Sequence, residues 1–503
     1  MSDAMISVRP PFTEELLQSS QRLSASEIAI AGQFISAGEH CLSYFNAAIA
    51  RSSPGVELDE LTQQREDITQ QVLQYKNAIR CIRRLPPEII SKFLAFTLPY
   101  VEPDSFGETP WHLGHICRYW RDVALASSSL WTDIVIMHSH TYPAEILQTL
   151  LLRSSNSPIK VQFWASRATP RVTELLQTLV GCAHRWTNAS IFIRPVHWPL
   201  LAPLRGRIPL LRYLQIDVSD DRDFMQNPAS TELGDPFEIA PALHSVTVED
   251  LSGLPHTLVL PFQQLTYIKL VGGCNDIKTI LSTTPNVDAA SLDLTEVPPD
   301  ASFPCIRLPH LRRLYISAQS FLDHFELPML EEIYTVDSHP APLLSLIERC
   351  PTIRLKTLRL AWCTPAHISQ ILEACPTVQT LGIQIMASDG IHGGDLLSKL
   401  TVRHTGGTTY TAVGPNLHSI ELGLDHANIN YELFVDMVES RWRVPAEGSP
   451  CCRLRSVELL HVDGKNVLDS SMGQKLDVLK GEGLRVSLLE GSEATSELMD
   501  WRI

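Results

Sequence analysis

Positive charge and aromatic rings are both scarce in this chain. Its 41 Lys and Arg face 56 Asp and Glu, for a net charge of −15, and Phe, Trp and Tyr together make up 7%. An acidic chain does not attract phosphates or anionic lipid over its whole surface, and no stretch interleaves basic and aromatic residues as base-stacking surfaces do. Neither nucleic acid nor membrane is therefore expected as a partner. No apolar run approaches bilayer-spanning length, and Met1–Met5 lacks the basic and apolar regions of a signal peptide. The expectation is a soluble protein of the cytoplasm or nucleus, with its eleven cysteines reduced, an odd number without regular pairing.

Motifs that carry chemistry are missing too. There is no Cys-x-x-Cys, no His-Glu-x-x-His, no Gly-x-x-x-x-Gly-Lys-Ser/Thr and no Gly-x-Ser-x-Gly. Cys451-Cys452 are adjacent, poor geometry for zinc. His138-Ser139-His140 reads as an exposed loop after a strand, and Gly272-Gly273 as a turn. The expectation is no catalytic residue, no cofactor and no metal. An enzyme with its site hidden in long loops is the least supported reading.

What the chain does have is patterned hydrophobicity. Its 503 residues are 44% hydrophobic and 19% charged, enough apolar material for two or three units or one extended array. Residues 1–56 are weakly patterned, with some helical spacing over Ser24–Ala50. In the next segment, 57–84, Leu58, Leu61, Ile68, Val72, Tyr75, Ile79 and Ile82 follow a 3-4-3-4 spacing broken by Arg65. This is either a coiled coil, giving a homodimer through 58–82, or one amphipathic helix lying on the chain's own next helix.

Segment 85–131 opens with Leu85-Pro86-Pro87-Glu88-Ile89-Ile90-Ser91-Lys92-Phe93-Leu94. Proline is tolerated in a first helical turn and Glu88 suits its positive end. Ile89/Ile90, Phe93/Leu94 and Leu98 make an apolar stripe. The linker Pro99–Pro110 follows, then a second helix from Trp111 with Leu113, Ile116/Cys117, Trp120 and Val123/Ala124 on one face, then Leu130-Trp131. Two short helices cannot bury so much apolar surface between them, so part of it must meet another surface.

The order Leu-Pro-Pro-Glu-Ile-Ile, Ile-Cys-Arg-Tyr-Trp-Arg-Asp-Val-Ala and Leu-Trp strongly resembles the F-box. It is most similar to the fungal F-box plus leucine-rich-repeat family, in which Leu150–Ile159 and His184-Arg185-Trp186 also find counterparts. The resemblance implies binding to a Skp-type adaptor and, through it, to a cullin-RING ubiquitin ligase. Carried over by position, the adaptor face would comprise Leu85, Pro86, Pro87, Glu88, Ile89, Ile90, Leu94, Ile116, Cys117, Trp120, Leu130 and Trp131. The linker is longer than in the shortest F-boxes. Trp120 and Trp131 are open equally to core and interface readings, and Cys117 reads as a small buried hydrophobe.

Through 132–490 a template recurs, Pro-x-Leu-x-x-Leu-x-Leu with Val or Ile allowed. Clear copies start their apolar series at Leu211, Leu311 and Leu417, and weaker ones at Leu243, Leu265, Val287, Leu330, Leu355, Val378 and Leu454. Proline stands two residues before the first apolar position in seven of these ten copies, where 34 prolines in 503 residues would place fewer than one by chance. The starts are 32, 22, 22, 24, 19, 25, 23, 39 and 37 residues apart. The middle spacings fall in or near the leucine-rich-repeat range of roughly 20–29. Leu343–Pro351 and Ile368–Pro376 share a helical pattern ending in Cys-Pro, with a looser version at Ile277–Pro285. Cys350 and Cys375 read as structural.

The fold expected is α/β: an N-terminal helical segment and F-box helices, then an irregular leucine-rich-repeat solenoid. Strands would form a curved parallel sheet on the concave side and helices the convex side. Pro158–Trp164 and Trp186–Ile193, flanking a helix at Val172–Val180, would begin the sheet. Leu476–Leu489 would end it with a helix and strand, and 491–503 would be a polar capping tail. Long loops are expected at Asp217–Pro236, Ala387–Pro415 and Arg441–Cys452, the second containing Gly406-Gly407-Thr408-Thr409. The function implied is that of the substrate-recognition subunit of a Skp–cullin–F-box ligase, presenting an unknown target protein for ubiquitination. The alternative is a repeat-based interaction scaffold without ligase function.

Overall fold

Apolar periodicity and proline placement account for most elements of the chain. The computed structural model describes residues 10–18, 23–52, 55–79, 85–98, 110–217, 235–249, 258–295, 305–336, 339–386, 393–404, 410–425, 429–444, 451–463 and 470–502. Gly406–Thr409, most of Asp217–Pro236, and Pro99–Thr109 of the linker lie outside these residues, as does Ile82. The chain divides into two units, residues 1–137 with 142–160, and 138–141 with 161–503.

In the first unit, Ala25–Ile49 and Val56–Ala78 are long helices. The first starts at a capping box: Glu27 N–H donates to Ser24 Oγ at 3.3 Å, and Ser24 N–H to Glu27 Oε2 at 2.7 Å. Every described seam position from Leu58 to Ile79 is buried or half-buried, while Gln63, Gln64, Glu66, Asp67, Gln70, Gln74 and Lys76 are exposed. The seam packs on the preceding helix rather than the following one. Val72, Tyr75 and Ala78 share a core with Leu17, Ala31, Phe34 and Ile35, and Ile68, Ile79 and Leu42 flank it. Gly38 permits the approach, since a Cβ there would run into Val72 Cγ2.

The second helix expected in 85–131 starts later than its sequence suggests. Pro110–His115 is a 3-10 turn, Cys117 is extended (φ −162°, ψ 170°), and the α-helix runs Arg118–Ala126. Gly114 weakens an α-helical start at this place. Leu113, Ile116 and Cys117 therefore do not share a helical face with Trp120.

In the second unit the template becomes a parallel sheet whose strands follow one another in chain order. Leu214, Val246, Ile268, Ala290, Leu314, Ile333, Leu358, Leu381, Ile420 and Val457 occupy one cross-strand column. All ten template copies are thus in register, and the strands Trp186–Ile193 and Arg485–Glu490 extend the ladder at either end. This is a leucine-rich-repeat-like α/β solenoid. Alternate strand residues such as Leu214, Ile216, Leu358 and Leu360 are 0% exposed and form the core face. The other set forms the opposite face of the sheet.

The connections between strands differ from repeat to repeat. The 22- to 25-residue repeats admit helices such as Cys274–Thr283, Ala341–Arg349 and Pro365–Ala374. The shortest repeat, from Leu311 to Leu330, carries the 3-10 turn Gln319–His324 and the two-residue strand Phe325–Glu326. Helices start at Thr169, Thr364 and Asn430, whose side chains accept from Val172, His367 and Leu433 N–H groups. The helices Cys274–Thr283, Ala341–Arg349 and Pro365–Ala374 end against proline: Thr284, Cys350 and Cys375 precede Pro285, Pro351 and Pro376 and share nearly one conformation, φ −115° to −121° and ψ 67° to 72°. A following proline disfavours the helical region for the residue before it. Cys350 and Cys375 are buried, and burial pushes the Cys375 thiol up to about 11.

Three expectations change here. The segment read as the loop Ala387–Pro415 contains the helix Gly393–Leu400 and a small antiparallel pair, Arg403–His404 with Tyr410–Thr411. The tail 491–503 is the helix Gly491–Asp500 followed by Trp501, which is 1% exposed. Ser139, read as part of an exposed loop, is buried. Among the described residues, no helix is long and apolar enough to cross a membrane and all described cysteines are free.

Candidate protein-docking surfaces

The helix Pro87–Thr97 carries two apolar faces. Pro86 is its N-cap with no side-chain cap bond, Pro87 opens the first turn, and Leu98 closes it in an extended conformation before Pro99. Ile90 and Leu94, four residues apart, are completely buried. Ile89, Phe93 and Phe96, at i, i+4 and i+7, are 47%, 51% and 89% exposed.

The helix Arg118–Ala126 packs beside it. Trp120, Val123 and Ala124 are buried, and the Trp120 ring meets Phe93 edge-on, with centroids 5.6 Å apart. The Tyr119 hydroxyl donates to Leu85 O at 2.9 Å, which fastens the start of the first helix. Arg121 Nε donates to Gly114 O at 2.7 Å and holds the 3-10 turn. Trp131 Nε1 donates to Ala124 O at 2.8 Å, so the indole is buried without losing its hydrogen bond. The Arg153 guanidinium lies 4.3 Å and 4.4 Å from the ring centres of Trp111 and Trp131, lining a cleft of about 200 Å³. Burial lowers the Arg153 pKa from its ordinary value.

Of the twelve residues carried over by position, Pro86, Pro87, Glu88, Ile89 and Ile116 are exposed, while Leu85 and Cys117 are half-buried. Ile90, Leu94, Trp120, Leu130 and Trp131 are 0–4% exposed and belong to the core of the unit. Sequence reasoning left Phe96 and Leu125 aside and did not place Phe93 on the adaptor face. The signal for Phe93 and Phe96 was present, as a second i, i+4, i+7 stripe from Ile89 running one residue out of phase with Ile90 and Leu94.

The sheet face of the second unit is a different kind of surface. Its central column reads Ser190, Gln215, Thr247, Lys269, Ser291, Tyr315, Tyr334, Arg359, Gly382, Glu421, Glu458 and Ser487. The early part is a polar network. Ser190 Oγ donates to Gln215 Oε1 at 3.1 Å, Gln215 Nε2 to Glu249 Oε1 at 3.1 Å, and Lys269 Nζ to the same Glu249 oxygen at 3.4 Å. Tyr213 and Tyr267 flank it, in an open cleft of about 430 Å³. Burial pushes the Tyr267 hydroxyl up to about 12. The later part lies under the Gly491–Asp500 helix. Among the described residues, no group of three or more His, Cys, Asp or Glu is placed to hold a metal ion.

No protein-family model matches the chain, and no curated protein matches it. Similar solved structures include a TLR13–ssRNA13 complex, at 11% identity over 66% of this chain and 48% of that one with a TM-score of 0.28. A complex of Rad7 and Elc1 from yeast is another, at 12% identity over 86% of this chain and 98% of that one with a TM-score of 0.31. The present chain spans about half the length of the TLR13 chain. Likenesses of this size do not assign a partner.

Proposed function

We propose that this chain is the substrate-recognition subunit of a Skp–cullin–F-box ubiquitin ligase. Its Pro87–Thr97 helix docks the Skp-type adaptor, and its sheet unit binds a target protein. The observation that carries this reading is the exposed stripe Ile89, Phe93 and Phe96 on a helix opened by Leu85-Pro86-Pro87. Full burial of one such side chain contributes roughly 1.5–3 kcal/mol, so covering the three part-exposed ones contributes roughly 3–6 kcal/mol toward association. The mechanism asks for no catalytic side chain. Holding a target beside a charged conjugating enzyme raises the effective concentration of its lysines, and transfer becomes nearly intramolecular.

The test is direct binding of the full chain to a purified Skp-type adaptor. Wild type should bind. Phe96→Asp should weaken binding by about tenfold or more, the scale of one lost hot-spot side chain, with its melting temperature within a few degrees of wild type because Phe96 is 89% exposed. No binding by the wild type rejects the reading. The burial of Ile90, Leu94, Trp120, Leu130 and Trp131 favours a second reading, in which the helices are only a folded support for a repeat scaffold. It predicts no adaptor binding and no change in any partner's abundance when the chain is removed.

A further inference from the structure

The C-terminal helix lies in a seat built for it. Gly491, at φ +59°, turns the chain out of the last strand, Arg485–Glu490, at a backbone conformation that glycine adopts without penalty. Ala494, Leu498 and Trp501, at i, i+4 and i+7, then pack against Tyr315, Tyr334, Ala361 and Leu460, with Val336, Val462 and Leu489 at the margin. The Trp501 ring meets Tyr334 edge-on at 5.9 Å. The Arg359 guanidinium stands 5.3 Å from the Trp501 ring centre, and that of Arg502 stands 5.6 Å from the Tyr315 ring centre.

The strands leave space for this occupant. Glycine weakens a strand interior and there marks a place of close approach. A Cβ at Gly423 would lie 2.7 Å from Leu498 Cδ2, and one at Gly382 would lie 3.2 Å from Trp501 Cη2. Yet the fit is incomplete in two respects. Trp501 Nε1 is buried without a hydrogen-bond partner. Glu497 adds a negative charge beside Glu458, next to Glu421, and Arg359 opposes it. Arg359 is already committed to Glu421, through Nε to Oε2 at 2.9 Å and a guanidinium NH2 to Oε1 at 3.3 Å. Burial, Glu421 and Glu497 together hold the Glu458 carboxyl above the usual carboxylate range.

We propose that this face is a helix-binding site whose present occupant is exchangeable. The partner it fits is an amphipathic helix with a small apolar residue, Leu and Trp at i, i+4 and i+7, and a basic residue where this chain has Glu497. The apolar seat supplies the affinity, and the carboxylates of Glu421 and Glu458 select the charge. The chain's own helix shields the seat until a better-matched helix replaces it. The proposal concerns the sheet unit alone and does not depend on adaptor docking.

The experiment uses the full chain with a protease site inserted at Glu490-Gly491, cleaved after folding. Two labelled peptides spanning residues 491–503 serve as probes, one with the native sequence and one carrying Glu497→Lys. The cleaved chain should take up both, with the Lys peptide binding about tenfold tighter, the scale of one removed like-charge contact. The uncleaved chain should bind either peptide far more weakly, and Leu498→Asp should abolish uptake. Equal affinity of the two peptides, no uptake after cleavage, or concentration-dependent dimers of the uncleaved chain that trade helices would each overturn the proposal. The uncleaved Glu497→Lys chain gives a second measurement. Its amides at Ala494–Leu498 should exchange about tenfold more slowly than in wild type by the same charge argument, and unchanged exchange would overturn it as well.

Discussion

Single buried polar residues join the spacers of the sheet unit to its strands. Arg441 is completely buried and donates to three carbonyls, Leu400 and Val413 at 2.6 Å each and Gly414 at 3.2 Å, joining the inserted helix to the next strand's approach. Burial pushes its pKa down to about 10. His461, at the end of the Ser456–His461 strand, is 1% exposed and lies 3.4 Å from the Tyr431 hydroxyl. Its pKa is lowered, as is that of His418, in both cases chiefly by desolvation. The sign follows from proton binding. Between the lowered folded values and the unfolded value near 6.5 the unfolded chain binds more protons, so stability from these residues is present above pH 6.5 and is lost as pH falls through that window. Urea midpoints should therefore decline from pH 7 to pH 5. His418→Gln/His461→Gln should flatten that decline, and an unchanged slope would show that other groups set it.

At the scale of elements, the helical hairpin of the first unit shows how close approach is written into one position. Val72, Tyr75 and Ala78 meet Phe34 and Ile35 because Gly38 offers no Cβ where Val72 Cγ2 lies. Alanine is the better helix former by about 1 kcal/mol. The β-branched Val72 cannot turn aside easily, and overpacking costs about 1–3 kcal/mol. Gly38→Ala should thus destabilise the hairpin by up to about 2 kcal/mol, and Val72→Ala in the same chain should recover part of the loss. A rise in melting temperature for Gly38→Ala alone would contradict the packing. The seam from Leu58 was readable as a helix with one apolar face. Which surface covered that face was not, because a 3-4 spacing describes a stripe and says nothing of its partner.

At the scale of the molecule, the sheet unit is one ladder in which each strand contacts its neighbours. Its exposed ion pairs, Arg312 with Asp288 and Glu331, and Lys356 with Glu331, join successive repeats and are worth about 0–1 kcal/mol each. Stability comes from the core column. Leu358→Ala, at a completely buried central site, should cost about 2–5 kcal/mol. Because repeats are coupled mainly to their neighbours, hydrogen exchange should rise most in Glu332–Thr335 and Thr380–Met386, the strands on either side. Uniform loosening of the whole sheet would argue against that coupling.

The sequence by itself determined the ladder. A period-2 apolar template preceded by proline specifies strand, face and register locally, so Leu211 through Leu454 marked ten strands that pair as read. It also determined where the helix Pro87–Thr97 begins, since Leu85-Pro86-Pro87 states its own start. The tertiary structure alone decided which stripe of that helix is covered. Ile90 and Leu94 are 0% exposed while Ile89 and Phe93, one residue out of phase, are 47% and 51% exposed, and the helix packed beside them, Arg118–Ala126, lies about thirty residues away in sequence. It alone also turned the polar-looking tail into a seated helix. Ala494, Leu498 and Trp501 are too sparse to declare a core, and they become one only against Tyr315, Tyr334 and Leu460, residues brought together by the sheet. Local spacing fixes what the nearby chain can satisfy, and long-range burial has to wait for the fold.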